Sequence, residues 1–436
     1  MSRQELADAV NAHLSRTDPH EANLDANHIG KLERGEHRWP NDKRRAAFRH
    51  VLQVATDRQL GFYIIRGMSI TAQRPAPSGE APLLSGAGAD HGYSDGLPDR
   101  QRRALLKGVA AVATSAGLVG PRDVLRRRRL GHSDVTRLDA VTAMYRSLDY
   151  ECGGGLLYVH VNAFAESVAG LVDHDYTDRL RSVLLAAIAG ARQLAGWTAF
   201  DAGRHIDAQR HWLAAERAAV EAGDVLLAAR VRYCQARQFQ HLRHNRDALD
   251  TLRLAGAQLG STVTPAVSAM LQGAEAASLA ALGDERGALT ALTTAEGAFG
   301  RVEPDREPVW MRFYDRGELL AQYGRVYRDL ARTEPSKHGE TAVRWVTDAI
   351  AAFGPQNVRS TVLNEIGLCS AWSLAGQPEQ ALAVGVAVIE RASQLTSARV
   401  TDRIRNLRRD LAPHAARTDV AEFSHQLAAI GAAPTS

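Results

Sequence analysis

A recurring small residue constrains the fold of this chain most. Ala208, Ala248, Ala288, Ala342 and Ala381 each follow a short turn, at spacings of 40, 40, 54 and 39 residues. Five residues before each stands a turn residue: Gly203, Arg243, Gly283, Lys337 and Gly376. Four after come Trp212, Leu252, Leu292 and Val346, with Gly385 breaking the pattern in the last unit, and seven after come Ala215, Ala255, Ala295, Ala349 and Val388. Positions i, i+4 and i+7 share one helix face, so each unit presents a small–large–small stripe. Gly196, Ala236, Ala276 and Cys369 stand twelve residues before their anchors, and Ala199, Phe239, Leu279 and Trp372 nine before. Small residues let two helices approach, and bulky ones fill the groove beside them. One helical hairpin cannot bury such a stripe alone, so the units must stack.

The Gly-x-x-x-x-Ala turn and the paired helices resemble tetratricopeptide repeats over residues 178–396. The period is near 40 rather than the standard repeat of about 34, which implies long-helix variants; another kind of α-solenoid is the alternative. The prolines of 303–308 and the pair Pro335-Ser336 are expected to lengthen loops in the fourth unit. The tail 399–430 reads as a capping helix, with Val400, Ile404, Leu407 and Leu411 inward and Arg403, Arg405, Arg408 and Arg409 on a solvated face. The resemblance implies a concave surface of first helices suited to a peptide or protein ligand. Tyr233, Arg237 and Gln240, spaced i, i+4, i+7, and Arg312 near Asp315 and Tyr323, are the residues expected on it; the alternative is that they are solvated or pack between repeats.

Between 67 and 98 six glycines and four prolines mark a flexible linker. The expected organisation is a head over 1–66, the linker over 67–100, a basic and apolar segment over 101–130, and the repeat body over 131–430. The expected fold class is all-α.

The head opens on Ser2-Arg3-Gln4-Glu5, a capping box, followed by an apolar stripe of Leu6, Ala7 and Val10. Asp25 is the expected N-cap of a second helix whose inward residues are Ile29 and Leu32, with Gly35 as its stop. A third helix from Asn41 places Phe48, Val51 and Leu52 inside. The strings Gln4-Glu5-Leu6-Ala7, Ile29-Gly30-Lys31-Leu32-Glu33-Arg34-Gly35 and Arg38-Trp39-Pro40 resemble the phage-repressor-like helix-turn-helix regulators of the XRE family. Joined to a linker and a repeat body, they resemble large actinobacterial regulators. The family's preceding helix has no counterpart here, and the connection between the motif helices, 15–23, is longer than its usual tight turn.

That resemblance implies a second helix entering the major groove of double-stranded DNA. Ala26, Asn27, His28 and Lys31 then face outward. Asn27 suits a bidentate contact with adenine, and Lys31 suits guanine or phosphate. Gln4, Arg34, Arg38 and Arg44 are the implied backbone contacts. Against this, residues 1–50 hold nine Lys/Arg and eight Asp/Glu, a net of only +1. The strongest basic run lies at 126–129, all arginine, and is either a solvated tether or a non-specific phosphate contact.

Three widely spaced cysteines (Cys152, Cys234, Cys369) make no disulfide framework and fit a reducing cytoplasm. Arg102-Arg103 followed by an apolar stretch to Val119 imitates an export signal but lies deep in the chain. No uninterrupted apolar run reaches the roughly 18–20 residues of a spanning helix. No catalytic motif, cofactor fingerprint or metal-ligand spacing appears, and the pairs His205/His211 and His241/His244 read as solvated helix-face residues. The expectation is therefore a cytoplasmic, nucleoid-associated transcription regulator that is not an enzyme. It has no cofactor or metal and no membrane partner, and its repeats sense a peptide, a protein or a small ligand; a homodimer is left open. The alternative is a repeat scaffold whose head has lost DNA binding.

Overall fold

The computed structural model describes residues 2–17, 19–33, 40–52 and 129–432. These residues form seventeen α-helices and several 3-10 turns, with no strand among them. They fall into two compact units, divided between Asp95 and Gly96.

The first unit holds α1 (Arg3–Thr17), α2 (Ala26–Glu33) and α3 (Asp42–Leu52). The capping box forms as its residues dictate: the Glu5 N–H donates to Ser2 Oγ at 3.2 Å, and the Ser2 N–H donates to Glu5 Oε2 at 2.6 Å. Asp25 caps α2, accepting from the His28 N–H at 2.7 Å. Ala7, Val10 and Leu14 of α1 meet Leu24, Ile29, Ala47 and Phe48 in one small core. Leu52, expected inside, is exposed at the end of α3. The long connection is held by Asn11, whose amide donates to the Leu24 carbonyl at 2.7 Å and accepts from the Leu24 N–H at 2.9 Å.

The second unit begins with α4 (His132–Cys152) and α5 (Gly154–Ala169). Five hairpins follow: α6 (Asp178–Asp201) with α7 (His205–Ala222), α8 (Val225–His241) with α9 (Asn245–Leu259), α10 (Pro265–Ala281) with α11 (Glu285–Phe299), α12 (Arg316–Ala331) with α13 (Pro335–Ala352), and α14 (Val358–Leu374) with α15 (Pro378–Ser393). The tail is two helices rather than one, α16 (Ala398–Leu411) and α17 (Thr418–Ala432). Each even-numbered helix from α4 to α16 packs on the next even-numbered one, making an inner layer, while the second helices of the hairpins lie outside it.

All five anchor alanines are fully buried. The bulky position nine residues before four of the anchors has a backbone role as well. The carbonyls of Ala199, Phe239, Leu279 and Trp372 accept from Arg204, His244, Asp284 and Gln377 at 2.8–3.0 Å, closing the helix end around a left-handed turn residue. That residue is glycine in three hairpins, but Arg243 adopts the same conformation at φ 65°. In the fourth hairpin the pattern shifts. Pro335 and Ser336 open α13 instead of lengthening a loop, so Lys337 is helical, and the added chain lies in the 3-10 turns Pro304–Arg306 and Val309–Phe313. Close approach explains two small residues. A Cβ on Gly196 would sit 2.3 Å from the Trp212 ring, and one on Gly385 2.2 Å from the Phe423 ring. The break in the stripe is therefore the seat of α17.

Two stretches, Gly154–Asp173 and Asp178–Asp201, are long and apolar enough to cross a membrane. In the second, 72% of the apolar window is buried, with residues such as Leu184, Ile188 and Leu194 packed in the core of the unit.

Ala288 and Leu292 of α11 lie in one core cluster with Leu249 and Val326 of neighbouring helices. Ala288→Glu buries an unpartnered charge there and should cost on the order of 3–5 kcal/mol. Because stacked units lean on their neighbours, urea unfolding should broaden or split. A variant that unfolds at the wild-type midpoint would place Ala288 outside the packed interface.

Candidate functional site

The head presents one polar surface on α2. Asn27 is exposed, Ala26 and Lys31 are partly exposed, and Ile29 on the opposite side is buried. The Asn27 side chain makes no hydrogen bond among the described residues. His28 is half-exposed but returns to the cap, with Nδ1 2.7 Å from Asp25 Oδ1. Gln4 is exposed and donates to Asp8 at 2.9 Å. Arg44 differs from its expected place as a free cation. It pairs with Glu21 at 2.9 Å and donates to Asn23, pinning the connection before α2. Arg34 and Arg38 lie outside the described residues, as do the export-like segment and the arginines at 126, 127 and 128; Arg129 is exposed.

In the second unit the stack turns back on itself, and α14 meets α4. The junction is ionic. Arg359 of α14 grips Asp149 of α4 through two hydrogen bonds of 2.6 and 2.9 Å, with both residues buried. Asp201, fully buried at the end of α6, accepts from the Gly154 N–H at 2.8 Å and from Ser397 Oγ at 2.9 Å. It also lies 3.5 Å from Arg359 and 3.4 Å from Arg399. The carboxylates beside it hold the Arg359 guanidinium above its ordinary pKa despite burial. Close packing at this node requires glycine: a Cβ on Gly155 would lie 2.3 Å from the Thr396 carbonyl, and one on Gly154 2.8 Å from Thr198 Cα.

Along the inner face of the stack lie two adjoining cavities of about 50 and 120 Å³, which share Arg237, Leu363 and Arg399 as walls. The first holds Arg230, buried and stacked 3.7 Å over the Phe313 ring. Glu318 faces it, accepts from Ser360 at 2.8 Å, and is pushed above the usual carboxylate range by burial. Tyr233 lines this cavity and is buried, in keeping with the alternative that it packs between repeats. Gln240 is buried too. Its amide donates to the Ala274 carbonyl at 2.7 Å and to Ser278 at 2.8 Å, tying α8 to α10. Arg237 does face inward and donates to Gln240 at 3.1 Å. Arg312 is exposed on a 3-10 turn rather than on a first helix, at a separate groove beside Trp310 and Phe313. The tail arginines divide: Arg405, Arg408 and Arg409 are exposed, but Arg403 and Arg399 point into the interior.

His244 is exposed, as its spacing suggests, but the other three histidines are engaged by other helices. His241 pairs with Asp402 of α16 at 2.8 Å and stacks 5.8 Å from His205. His211 is fully buried, with Nε2 2.8 Å from Asn162 Oδ1 and Nδ1 3.1 Å from the Arg192 guanidinium. Sequence spacing could not find these partners, which come from other units. Glu285, Glu334 and His338 also converge, within 4.8 Å, but the Lys337 ammonium bonds both carboxylates at 2.7 and 3.1 Å.

No family model matches the sequence, and no curated protein matches it.

His211 gives a pH prediction. Burial, and then the adjacent Arg192 charge, pull its pKa down to about 4 from an ordinary 6.5. Above pH 6.5 the imidazole is neutral folded and unfolded. Between pH 6.5 and 4 only the unfolded chain takes the proton, so stability should fall by about 1.4 kcal/mol per pH unit from this group. Urea midpoints measured across that window should fall less steeply for His211→Gln than for wild type. Equal slopes would show that the imidazole titrates as an ordinary one.

Proposed function

We propose that this chain is a DNA-binding transcription regulator whose helical body receives a ligand. The observation that carries the reading is the polar surface of α2. Its cap, its buried Ile29 and its unengaged Asn27 leave an amide free at the start of a short helix held against α1. That is the arrangement a groove-reading helix needs. Lys31 on the same side supplies a base or phosphate contact. The body adds an inner cavity lined by polar side chains, which suits a signal-receiving module. We read the hairpins as tetratricopeptide-like, the protein as cytoplasmic and nucleoid-associated, and neither unit as catalytic.

The scaffold reading has its own support. Arg44 is spent within the head, and the head carries almost no net positive charge. A regulator with this head then needs phosphate contacts from elsewhere, and the run at 126–129 is the strongest basic run in the sequence.

Selection of bound duplexes from a random pool should yield a preferred sequence. Asn27→Ala should lose about 1–3 kcal/mol at that sequence and relax the choice at one base pair, while affinity for random DNA stays nearly constant. An unchanged ratio of specific to random affinity would remove Asn27 from the groove. Wild type with no preferred sequence would favour the scaffold.

A further inference from the structure

The larger interior cavity has a charge imbalance that the protein itself does not resolve. Seven arginines and two aspartates line it. Both aspartates are already engaged: Asp402 by His241 and Arg405, and Asp329 by Arg332, which also forks onto Asp410 at 2.8 and 2.9 Å. Arg325 of α12 and Arg403 of α16 make no hydrogen bond or ion pair among the described residues. Arg328 is 3% exposed, donates once, to the Gly324 carbonyl at 3.2 Å, and leaves its Nη1 buried without a partner. Gly367 of α14 clears the space for that guanidinium, because a Cβ there would lie 2.6 Å from Nη1.

We propose that this cavity, between α8, α12 and α16, binds a phosphate-class oxyanion carried by a small molecule. Unpaired buried cations are costly to keep, and clusters of them occur where a ligand supplies the missing charge. Burial and mutual repulsion pull Arg325 down to about 9 and Arg328 to about 10, and Arg403 is lowered further by its four arginine neighbours. Three guanidiniums offer more donors than the two oxygens of a single carboxylate can accept. A phosphoryl group presents three charged oxygens and up to two negative charges, which matches both the donor supply and the charge. The polar walls, and a volume of about 120 Å³, suit a small polar ligand rather than an apolar one.

This inference rests on the ligand-receiving half of the function proposed above and is tested without DNA, so it stands or falls apart from base reading by α2. The full chain is titrated calorimetrically with inorganic pyrophosphate at constant chloride ionic strength, beside Arg325→Gln and Arg403→Gln and with citrate as the carboxylate probe. Wild type should bind at one saturable site, and each substitution should weaken binding about tenfold or more, the loss of one charge-assisted hydrogen bond. The melting temperature of each unliganded variant should rise, because a repulsion is removed. Three results would overturn the site: no saturable binding by wild type, binding unchanged in both variants (which would move the anion to the run at 126–129), or a fall in both unliganded melting temperatures. Citrate binding as tightly as pyrophosphate would overturn the phosphoryl assignment.

Discussion

Asp201, fully buried at the end of α6, is the point through which the body closes. It receives the first N–H of α5, the hydroxyl that caps α16 and the edges of two arginines. Arg359 then joins it to Asp149, across 210 residues of sequence. In a buried site, removing one partner strands the others, and the loss exceeds what an exposed pair is worth. Without this node α14 and α16 have no polar reason to return to α4 and α5. With it, the inner helices surround an interior and turn their arginines into that space. The ionic contact thereby sets which side chains are enclosed and which are solvated.

The local grammar of the body was legible in the sequence. Anchor alanines, turn residues and the bulky position before each turn are short-range features, and each has a short-range cause in hairpin packing or helix-end closure. The same holds for the capping box and for Asp25. Interactions between distant segments were not legible. Gly153, Gly154 and Gly155 look like a helix break, yet they admit residues 396 and 198, which no spacing rule connects to them. Gly385 looks like a failed stripe until Phe423 is seen against it. Tyr233 and Gln240 have the periodicity of an exposed face, but in a stack that closes, the inner face is enclosed. Their helical phase was legible; that they pack between repeats, one of the two alternatives, was decided by the closure. His211 and His241 were misjudged for the same reason: Asn162, Arg192 and Asp402 come from other helices.

The two units carry opposite electrostatic signatures. The head has little net charge, Arg44 and Arg45 are paired with Glu21 and Asp42, and the Asn27 amide makes no hydrogen bond among the described residues. The body, with a formal charge no less ordinary along its length, concentrates unpaired guanidiniums in its interior. Charge counted along the chain, +4 overall, conceals this, because pairing is decided by the fold. A cation-rich interior under an outer layer of hairpins is where a small anion can be read by several helices together.

Hydrogen exchange measured peptide by peptide on the full chain tests the closure most directly. If Arg359 and Asp149 hold the two ends of the stack together, Asp149→Asn should deprotect the C-terminal turns of α4 and the N-terminal turns of α14 together, by similar factors, and leave α9 to α11 unchanged. Protection lost only around residue 149, or in neither segment, would contradict the closed stack and the enclosed interior that depends on it.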